Sequence, residues 1–176
     1  MTGVQTCALP ISPEVMDSAQ LAWLQSHLWI LSGLYGCVRP FHAVEPYRLE
    51  MGAKLAVDDA CDLYTFWDDK LARTIAPAGS STTIVNLASV EYAKAVLPHL
   101  AADVTVVTCL FGEGVRNGKP IQRSTASKKA RGSMVRWMAE NKLEDASGLT
   151  AFDVGYRHAP ELSNHNTLVF MNEQAQ

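Results

Sequence analysis

The sequence predicts a mixed α/β fold, in which one domain carries a sheet with a βαβ unit and hairpins packed by helices. Apolar strand patterns at 82–88 and 103–110 flank a helix that begins at Ser89, and this order favours a parallel pair of strands. Asn117-Gly118 is a strong signal for a two-residue β-hairpin turn. The chain has 176 residues, 48% of them hydrophobic and 19% charged, which is enough for one domain with its own core.

Two helices are predicted in the first half of the chain. The first begins after Asp17, because leucines recur there at helical spacing, and Gly33 should end it. The second spans about 63–75, with Asp62 as its N-cap. Between them lies an irregular segment punctuated by prolines. The leucines of the first stripe are Leu21, Leu24, Leu28 and Leu31.

The second half predicts hairpins around a long helix. The turn at Asn117-Gly118 should fold 114–116 against 119–123, and a helix should then run over about 127–141. Asp145 is placed to cap a short helix at 146–149. A terminal hairpin is expected between 155–158 and 167–171.

The first twelve residues do not fit this organisation. They read MTGVQTCALPIS and have neither the basic start nor the apolar centre of a signal peptide. They look like a translated sequencing adapter, so we expect residues 1–12 to be a non-native, poorly packed leader. The native domain is then 13–176.

Composition argues against several classes of protein. The sequence has no apolar run of the ~20 residues that a membrane helix needs. Its four cysteines lack CxxC spacing and its five histidines lack paired spacing, so we expect no metal site and no disulfide framework. Neither GxGxxG nor GxxxxGK[ST] occurs, so we expect no cofactor. These features are typical of a cytoplasmic protein.

Positive charge is concentrated in one segment. Residues 114–142 contain eight Lys and Arg but one acidic residue, Glu140, whereas the whole chain carries a net charge of −3. Such asymmetry suggests an anionic partner for this segment. The alternative is a solvated surface that acidic neighbours balance in the fold.

The predicted helix at 127–141 has a basic side and an apolar side. At 100° per residue its cations fall within about 160° of arc, opposite Ala130, Met134, Trp137 and Met138. We expect this basic side to contact an anionic partner such as a nucleic-acid backbone, with little sequence preference. An ordinary amphipathic surface helix is the alternative. The predicted contact residues are Lys128, Lys129, Arg131, Arg136 and, just before the helix, Arg123.

Charged residues also crowd into the proline-containing segment RPFHAVEPYRLEMG, residues 39–52. Arg48 could bind a phosphate or carboxylate, and Glu50 could act as a general base. The alternative is that these two residues form a structural ion pair, in which case both should be close and at least partly buried. Tyr47, Arg48 and Glu50 are the candidate catalytic residues.

Several motifs, taken together, resemble the YaaA family of bacterial peroxide-stress proteins. The most specific is LSGLYGCVRPFHAVEPYRLEMGAKL at 31–55. It is followed, in family order, by LYTFWDD at 63–69, VNLASVEYAKAV at 85–96 and SKKARGSMVRWMAEN at 127–141.

The resemblance implies a mixed α/β protein of the bacterial cytoplasm that serves survival of hydrogen peroxide and limits free iron. It also implies DNA binding through a positively charged cleft and a helix-hairpin-helix element, for which residues 127–149 are the candidate by position. Four departures from the family pattern stand out. The turn at 142–144 lacks the usual glycines, and Asp68 stands where glycine is usual. The family's N-terminal strand with its Ser-Pro-Ala-Lys motif is absent, and Met171-Asn172 follows Phe170 where a basic residue is common.

Two functional hypotheses follow. The first is a monomeric DNA-binding stress protein without catalytic turnover. The second is an enzyme that acts on a nucleotide or nucleic acid through the loop with Tyr47, Arg48 and Glu50. A scaffold whose motifs serve only folding is a third possibility.

Overall fold

The fold is that of a computed structural model, which describes residues 11–174. Most of the predicted leader therefore lies outside the described residues. The described chain forms two compact units. We call the first the sheet unit, which among the described residues holds 11–24, 85–87 and 106–174. The second, the loop unit, holds 25–84 and 88–105.

The loop unit is built from short elements around the irregular segment that precedes α2. Its core packs buried Met51 and Leu63 against Leu71 and Val96. Helix α1 leads into this unit from the sheet unit. The elements in chain order are α1 (Ser18–His27), β1 (Ile30–Ser32), β2 (Gly36–Val38), α2 (Leu63–Trp67), α3 (Lys70–Ile75), α4 (Val90–Ala93) and a 3-10 helix (Leu97–His99).

The first predicted helix is confirmed as far as His27 and is wrong beyond it. Leu31 lies in β1, which pairs antiparallel with β2 so that Leu31 faces Cys37 across the hairpin. The Oγ of Ser32 accepts a hydrogen bond of 2.9 Å from the Tyr35 amide and closes the turn. The spacing of the leucines favours a helix only weakly, and the hydrogen bonds of the strand pair and of this turn outweigh that preference.

The second predicted helix is interrupted. Asp62 caps α2 as predicted, and its carboxylate accepts a hydrogen bond of 2.8 Å from the Thr65 amide. The chain then leaves the helical conformation at Asp68, where φ is 44° and ψ is −129°. Helix α3 restarts two residues later, so the apolar face predicted over 63–75 belongs to two helices.

The sheet unit contains most of a four-stranded sheet. Its strands are β3 (Thr83–Asn86), β4 (Thr105–Gly112), β7 (Tyr156–His158) and β8 (Thr167–Asn172). They lie in the order β3-β4-β8-β7, so β3 and β4 are neighbours, as the strand–helix–strand pattern predicts. Strand β8 runs parallel to β4 and antiparallel to β7, which confirms the predicted terminal hairpin.

The hairpin predicted at Asn117-Gly118 is present. Strand β5 (Val115–Arg116) pairs antiparallel with β6 (Lys119–Pro120). Asn117 and Gly118 have φ values of 51° and 71°, which is the backbone of a type I′ turn. Asparagine and glycine are the residues that tolerate this conformation best, so the local sequence was sufficient to predict it.

Helix α5 (Ser124–Glu140) is the longest element of the sheet unit and starts three residues before the prediction. Its C-terminus is closed by two backbone hydrogen bonds, Leu143 to Met138 and Lys142 to Ala139. These bonds form a Schellman motif, in which Lys142 takes a φ of 47° where glycine is usual. A 3-10 helix (Ala146–Ala151) follows and is capped by Asp145, as predicted.

The core of the sheet unit is an aromatic cluster. Phe111 lies at its centre, stacked on Phe170 at 5.5 Å and edge-on to Tyr156 at 5.4 Å between ring centroids. Ala130 and Met134 of α5 pack on this cluster. The mixed α/β class predicted from the sequence is therefore confirmed.

Candidate functional site

Within the irregular segment, residues 47–51 alternate between inside and outside. Tyr47 and Leu49 are half-buried and Met51 is fully buried, whereas Arg48 and Glu50 are exposed. Successive side chains of an extended chain point to opposite sides, so Arg48 and Glu50 share the solvent side. The expectation that these two residues are partly buried is wrong, because the apolar residues between them take the inward positions.

A cluster of hydroxyl groups holds this segment against the turn of the β1–β2 hairpin. The Tyr47 hydroxyl lies 2.5 Å from Oγ of Ser32, which is buried and also accepts from the Tyr35 amide. The rings of Tyr35 and Tyr47 meet edge-to-face at 5.6 Å. The Tyr35 hydroxyl in turn accepts a hydrogen bond of 2.9 Å from the Glu45 amide. The segment is thus fixed on both sides of Pro46.

Backbone packing fixes the same segment further along. A Cβ atom at Gly33 would lie 2.7 Å from the carbonyl oxygen of Leu49, so the hairpin turn and residue 49 touch through their backbones. The Gly52 amide donates a hydrogen bond of 2.8 Å to Oε1 of Glu91 at the start of α4. Beside it, burial raises the pKa of Tyr92, and the negative charge of Glu91 raises it further. The Tyr92 phenol is therefore protonated at neutral pH.

Arg48 and Glu50 line an open hollow of about 210 Å³, together with Leu49 and Ala53. Within residues 11–174 neither charge is neutralised by an ion pair, so the structural Arg–Glu pair considered above is not formed there. A guanidinium can bind a phosphate or carboxylate in two-point fashion, and a carboxylate accepts hydrogen bonds from amine or hydroxyl groups. The hollow therefore offers the positive charge of Arg48 and the negative charge of Glu50 to a small ligand or to the terminus of a polymer.

The cations predicted on the long helix fall into different surroundings. Lys129 is exposed and Lys128 half-buried, and neither forms an ion pair within the described residues. Arg136 pairs with Glu140 one turn later, with Nε 2.7 Å from the carboxylate. Arg123, at the N-cap of α5, lies 2.9 Å from Glu113 and remains largely exposed.

The predicted basic face of α5 is divided by buried residues. Gly132, Val135 and Ala139, which lie between the cations on the helical wheel, are buried. Arg131 lies among them on the helix and is half-buried, with its Nε shielded from solvent. The buried arc of α5 is wider than helical periodicity suggested, because small residues and a valine are buried as readily as the large apolar ones.

The residues that organise the loop were not among the predicted site residues. Ser32, Tyr35 and Gly33 position Tyr47 and Leu49, and Glu91 anchors the Gly52 amide. The strict apolar/polar alternation of Tyr-Arg-Leu-Glu-Met was a usable signal, because period-two patterns predict extended chain with one buried side. The contact with Glu91 spans 39 residues and has no local signal.

Within residues 11–174 no three His, Cys, Asp or Glu side chains are grouped so as to hold a metal ion. No helix in that range is long and apolar enough to cross a membrane.

Comparison with known proteins places the chain in a family. The model of a family described as peroxide stress protein YaaA matches residues 10–162. The chain belongs to this family. The β1–β2 hairpin, the 47–51 segment and α5 all lie within the matched range.

Individual relatives agree with this membership. A UPF0246 protein of Desulfitobacterium hafniense is 41% identical over 167 residues, which cover 94% of this chain and 65% of that protein. A UPF0246 protein of Laribacter hongkongensis is 47% identical and one of Pediococcus pentosaceus is 43% identical. The aligned regions cover 62% and 64% of those two proteins, so the chain spans just under two thirds of the length of these relatives.

Proposed function

We propose that this protein is a DNA-binding protein of the cytoplasmic response to hydrogen peroxide, which limits oxidative DNA damage and free iron. Membership in the peroxide stress protein YaaA family supports the peroxide part. The observation that carries the DNA-binding part is the pair Lys128 and Lys129 near the start of α5. These adjacent cations form no ion pair within residues 11–174.

The start of α5 favours an anion as the partner of this pair. Its first turn contains no acidic residue, and Arg123 occupies the N-cap without a side-chain capping hydrogen bond. The backbone amides of this first turn, residues 124–127, carry a partial positive charge that favours phosphate, and Lys128 and Lys129 follow in the next turn. Burial of Ala130 and Met134 in the aromatic core keeps this part of the helix rigid.

Contacts of this kind should involve the DNA backbone rather than base edges. Helix α5 contains no Asn or Gln, the residues that read adenine, and its exposed lysine is an unspecific phosphate partner. The long helix, the Schellman turn at Lys142 and the 3-10 helix at 146–151 together form our candidate for a helix-hairpin-helix-like element. We propose that the left-handed Lys142 takes the place of the glycine usual in such turns.

The test is a titration of a labelled mixed-sequence DNA duplex with the wild-type chain and with Lys128→Ala/Lys129→Ala. Each lost phosphate contact should reduce the slope of log affinity against log salt by about 1. The control is Arg73→Ala/Arg157→Ala, which removes two exposed cations from other elements. Absence of DNA binding by the wild-type chain, or equal loss in both double variants, would refute the proposal.

The peroxide part needs a separate experiment. A bacterial strain that lacks its own family member should regain survival of hydrogen peroxide when it expresses this chain. The Lys128→Ala/Lys129→Ala variant should restore survival less well at equal protein level. Equal rescue by the wild type and the variant would show that survival of hydrogen peroxide does not depend on Lys128 and Lys129.

An enzyme acting on a nucleotide or nucleic acid is the second candidate function. The hollow lined by Arg48 and Glu50, next to the fixed Tyr47, favours it. Arg48 would bind a phosphate and Glu50 would act as the general base. Incubation of the chain with nucleotides and oligonucleotides, followed by mass spectrometry, should then show turnover that Glu50→Gln abolishes. Turnover that survives both Glu50→Gln and Arg48→Ala would exclude this loop.

A further inference from the structure

We propose that the β5–β6 hairpin is a second element that binds the phosphate backbone of DNA, through Arg116 and Lys119. This inference rests on the proposed DNA-binding function and extends it to a surface outside α5. Both residues are exposed, and they stand directly opposite each other in the register of the hairpin.

The register brings two like charges together. Side chains opposite each other in an antiparallel pair have Cβ atoms about 4.5–5.5 Å apart, and like charges in such a pair destabilise the hairpin. Lysine and arginine can bend away from each other, but their charges remain near the tip of one narrow ribbon. An arrangement that costs stability in the free protein is favourable when a dense row of phosphates lies against it.

Acidic neighbours do not relieve this repulsion. The hairpin from Val115 to Pro120 contains no Asp or Glu. The nearest acid in sequence, Glu113, pairs with Arg123 at 2.9 Å. Neither Arg116 nor Lys119 forms an ion pair within the part of the chain that the structure describes.

The hairpin is held firmly enough to present its cations in one place. Its two-residue turn is a type I′ turn, which matches the twist of the strands. The pairing continues below the named strands, because the Glu113 amide donates to the Ile121 carbonyl at 3.0 Å and the Ile121 amide donates to the Gly114 carbonyl at 2.8 Å. Because these hydrogen bonds already order the hairpin, binding through its two cations does not require the loss of backbone entropy that a flexible loop would pay.

The chemistry selects a polyanion with closely spaced charges. Duplex DNA carries one negative charge per about 1.7 Å of helix axis, so two cations a few ångströms apart can bind neighbouring phosphates or one phosphate together. Asn117 at the tip of the turn can donate hydrogen bonds to the same backbone. Contacts of this type position the protein and carry no base specificity.

The experiment compares wild-type chain, Arg116→Ala/Lys119→Ala and the control Arg73→Ala/Arg157→Ala with the same labelled mixed-sequence duplex at several salt concentrations. Loss of two phosphate contacts should lower the salt slope by about 2. The affinity advantage of the wild type over the hairpin variant should then shrink about 12-fold between 50 and 200 mM salt. The control should retain the wild-type slope.

A charge reversal separates binding from folding. Arg116→Glu places an acid opposite Lys119 and converts a repulsive pair into an attractive one, so the Tm should stay equal or rise. DNA binding should nevertheless fall to about the level of the Arg116→Ala/Lys119→Ala variant, because both changes bring the net charge of this residue pair from +2 to 0. A lower Tm together with weaker binding would indicate a folding defect and overturn the interpretation.

The outcomes distinguish this inference from the function on which it rests. Suppose that the wild type binds DNA and that Lys128→Ala/Lys129→Ala weakens this binding while the hairpin variants do not. This result would overturn the hairpin proposal alone. A wild-type chain that binds no DNA would overturn both proposals. Equal losses in the hairpin variant and in the control would show that only total charge matters, and would also overturn the hairpin proposal.

Discussion

Tyr47 and Ser32 are fifteen residues apart in sequence, yet their hydroxyl oxygens lie 2.5 Å apart. This contact joins two parts of one sequence motif: the hairpin turn and the segment that carries Arg48 and Glu50. Because Ser32 is buried and also accepts from the Tyr35 amide, the Tyr47 hydroxyl completes a small network. Arg48 and Glu50 are therefore positioned by a network of uncharged groups, the Tyr47 hydroxyl, the Ser32 hydroxyl and the Tyr35 amide.

Removing the Tyr47 hydroxyl should destabilise the protein moderately. Tyr47→Phe keeps the ring contact with Tyr35 but leaves the buried Ser32 oxygen with one partner fewer, at a cost of about 1–2 kcal/mol. Chemical unfolding measured by circular dichroism gives the value. A double-mutant cycle with Ser32→Ala isolates the pair, and the double variant should lose less than the two single variants added together.

The matched control is Tyr35→Phe. It removes a hydrogen bond to the Glu45 amide, which is exposed and can bind water instead. Its cost should be smaller than that of Tyr47→Phe. A larger cost for Tyr35→Phe would show that the outer bond, and not the Ser32 contact, holds the segment.

Glycine in place of Asp68 should stabilise the protein. Asp68 has φ of 44° and ψ of −129°, a backbone conformation that glycine adopts readily and aspartate does not. Relief of strain should exceed the extra entropy of glycine in the unfolded chain and leave a gain of about 1 kcal/mol. Thermal unfolding of Asp68→Gly measures the gain as a raised Tm.

Two further variants show whether the backbone is the cause. Asp68 also lies 3.6 Å from the His99 ring, so Asp68→Asn tests the loss of charge while it keeps the side-chain size. That exposed contact should contribute little. Asp68→Ala should not reproduce the stabilisation, since alanine has a Cβ atom. Equal gains from glycine and alanine would refute the strain argument.

A methyl group at Gly33 should be poorly tolerated. Its Cβ would meet the Leu49 carbonyl at 2.7 Å and cannot be accommodated by a side-chain rotation, because the neighbour is backbone. Gly33→Ala should therefore cost about 1–3 kcal/mol and disturb the position of Arg48 and Glu50. Unfolding in urea measures the cost.

Gly114→Ala is the control for this substitution. A Cβ at Gly114 would find only the Ile121 side chain, at 3.8 Å, so the substitution should leave stability nearly unchanged. Similar losses for the two alanine variants would mean that the close approach at Gly33 has no special role.

The cysteines should differ sharply in reactivity. Cys109 is 2% exposed, and burial raises the pKa of its thiol to about 12, so thiolate is almost absent at neutral pH. Cys61 is exposed, whereas Cys37 is half-buried with a pKa raised by burial. Of these three thiols, iodoacetamide or dilute peroxide should modify Cys61 first and Cys109 last, as peptide mass spectrometry can show.

Unfolding provides the control for this order. In denaturant the three thiols should react at similar rates, because their differences come from the fold. Rapid modification of Cys109 in the native protein would show that its strand opens more easily than the aromatic core suggests.

Local sequence chemistry determined several features of this protein by itself. The type I′ turn at Asn117-Gly118 and the caps at Asp62 and Asp145 were predictable, because each depends on residues a few positions apart. The family resemblance was likewise visible in contiguous motifs, and the family match confirms it. The role of the basic residues of α5 stays a prediction.

Tertiary contacts decided what local patterns could not. The end of α1 at His27 and the strand at Leu31 depend on hairpin pairing, and the burial of Val135 depends on what surrounds α5. The contact between Ser32 and Tyr47 joins a hairpin turn to an irregular segment, and no single sequence periodicity relates these two residues. Sequence periodicity shows which side of a helix or strand is apolar. Only the folded chain decides which groups from distant segments pack against that side, because those contacts are stabilised by burial and not by local propensity.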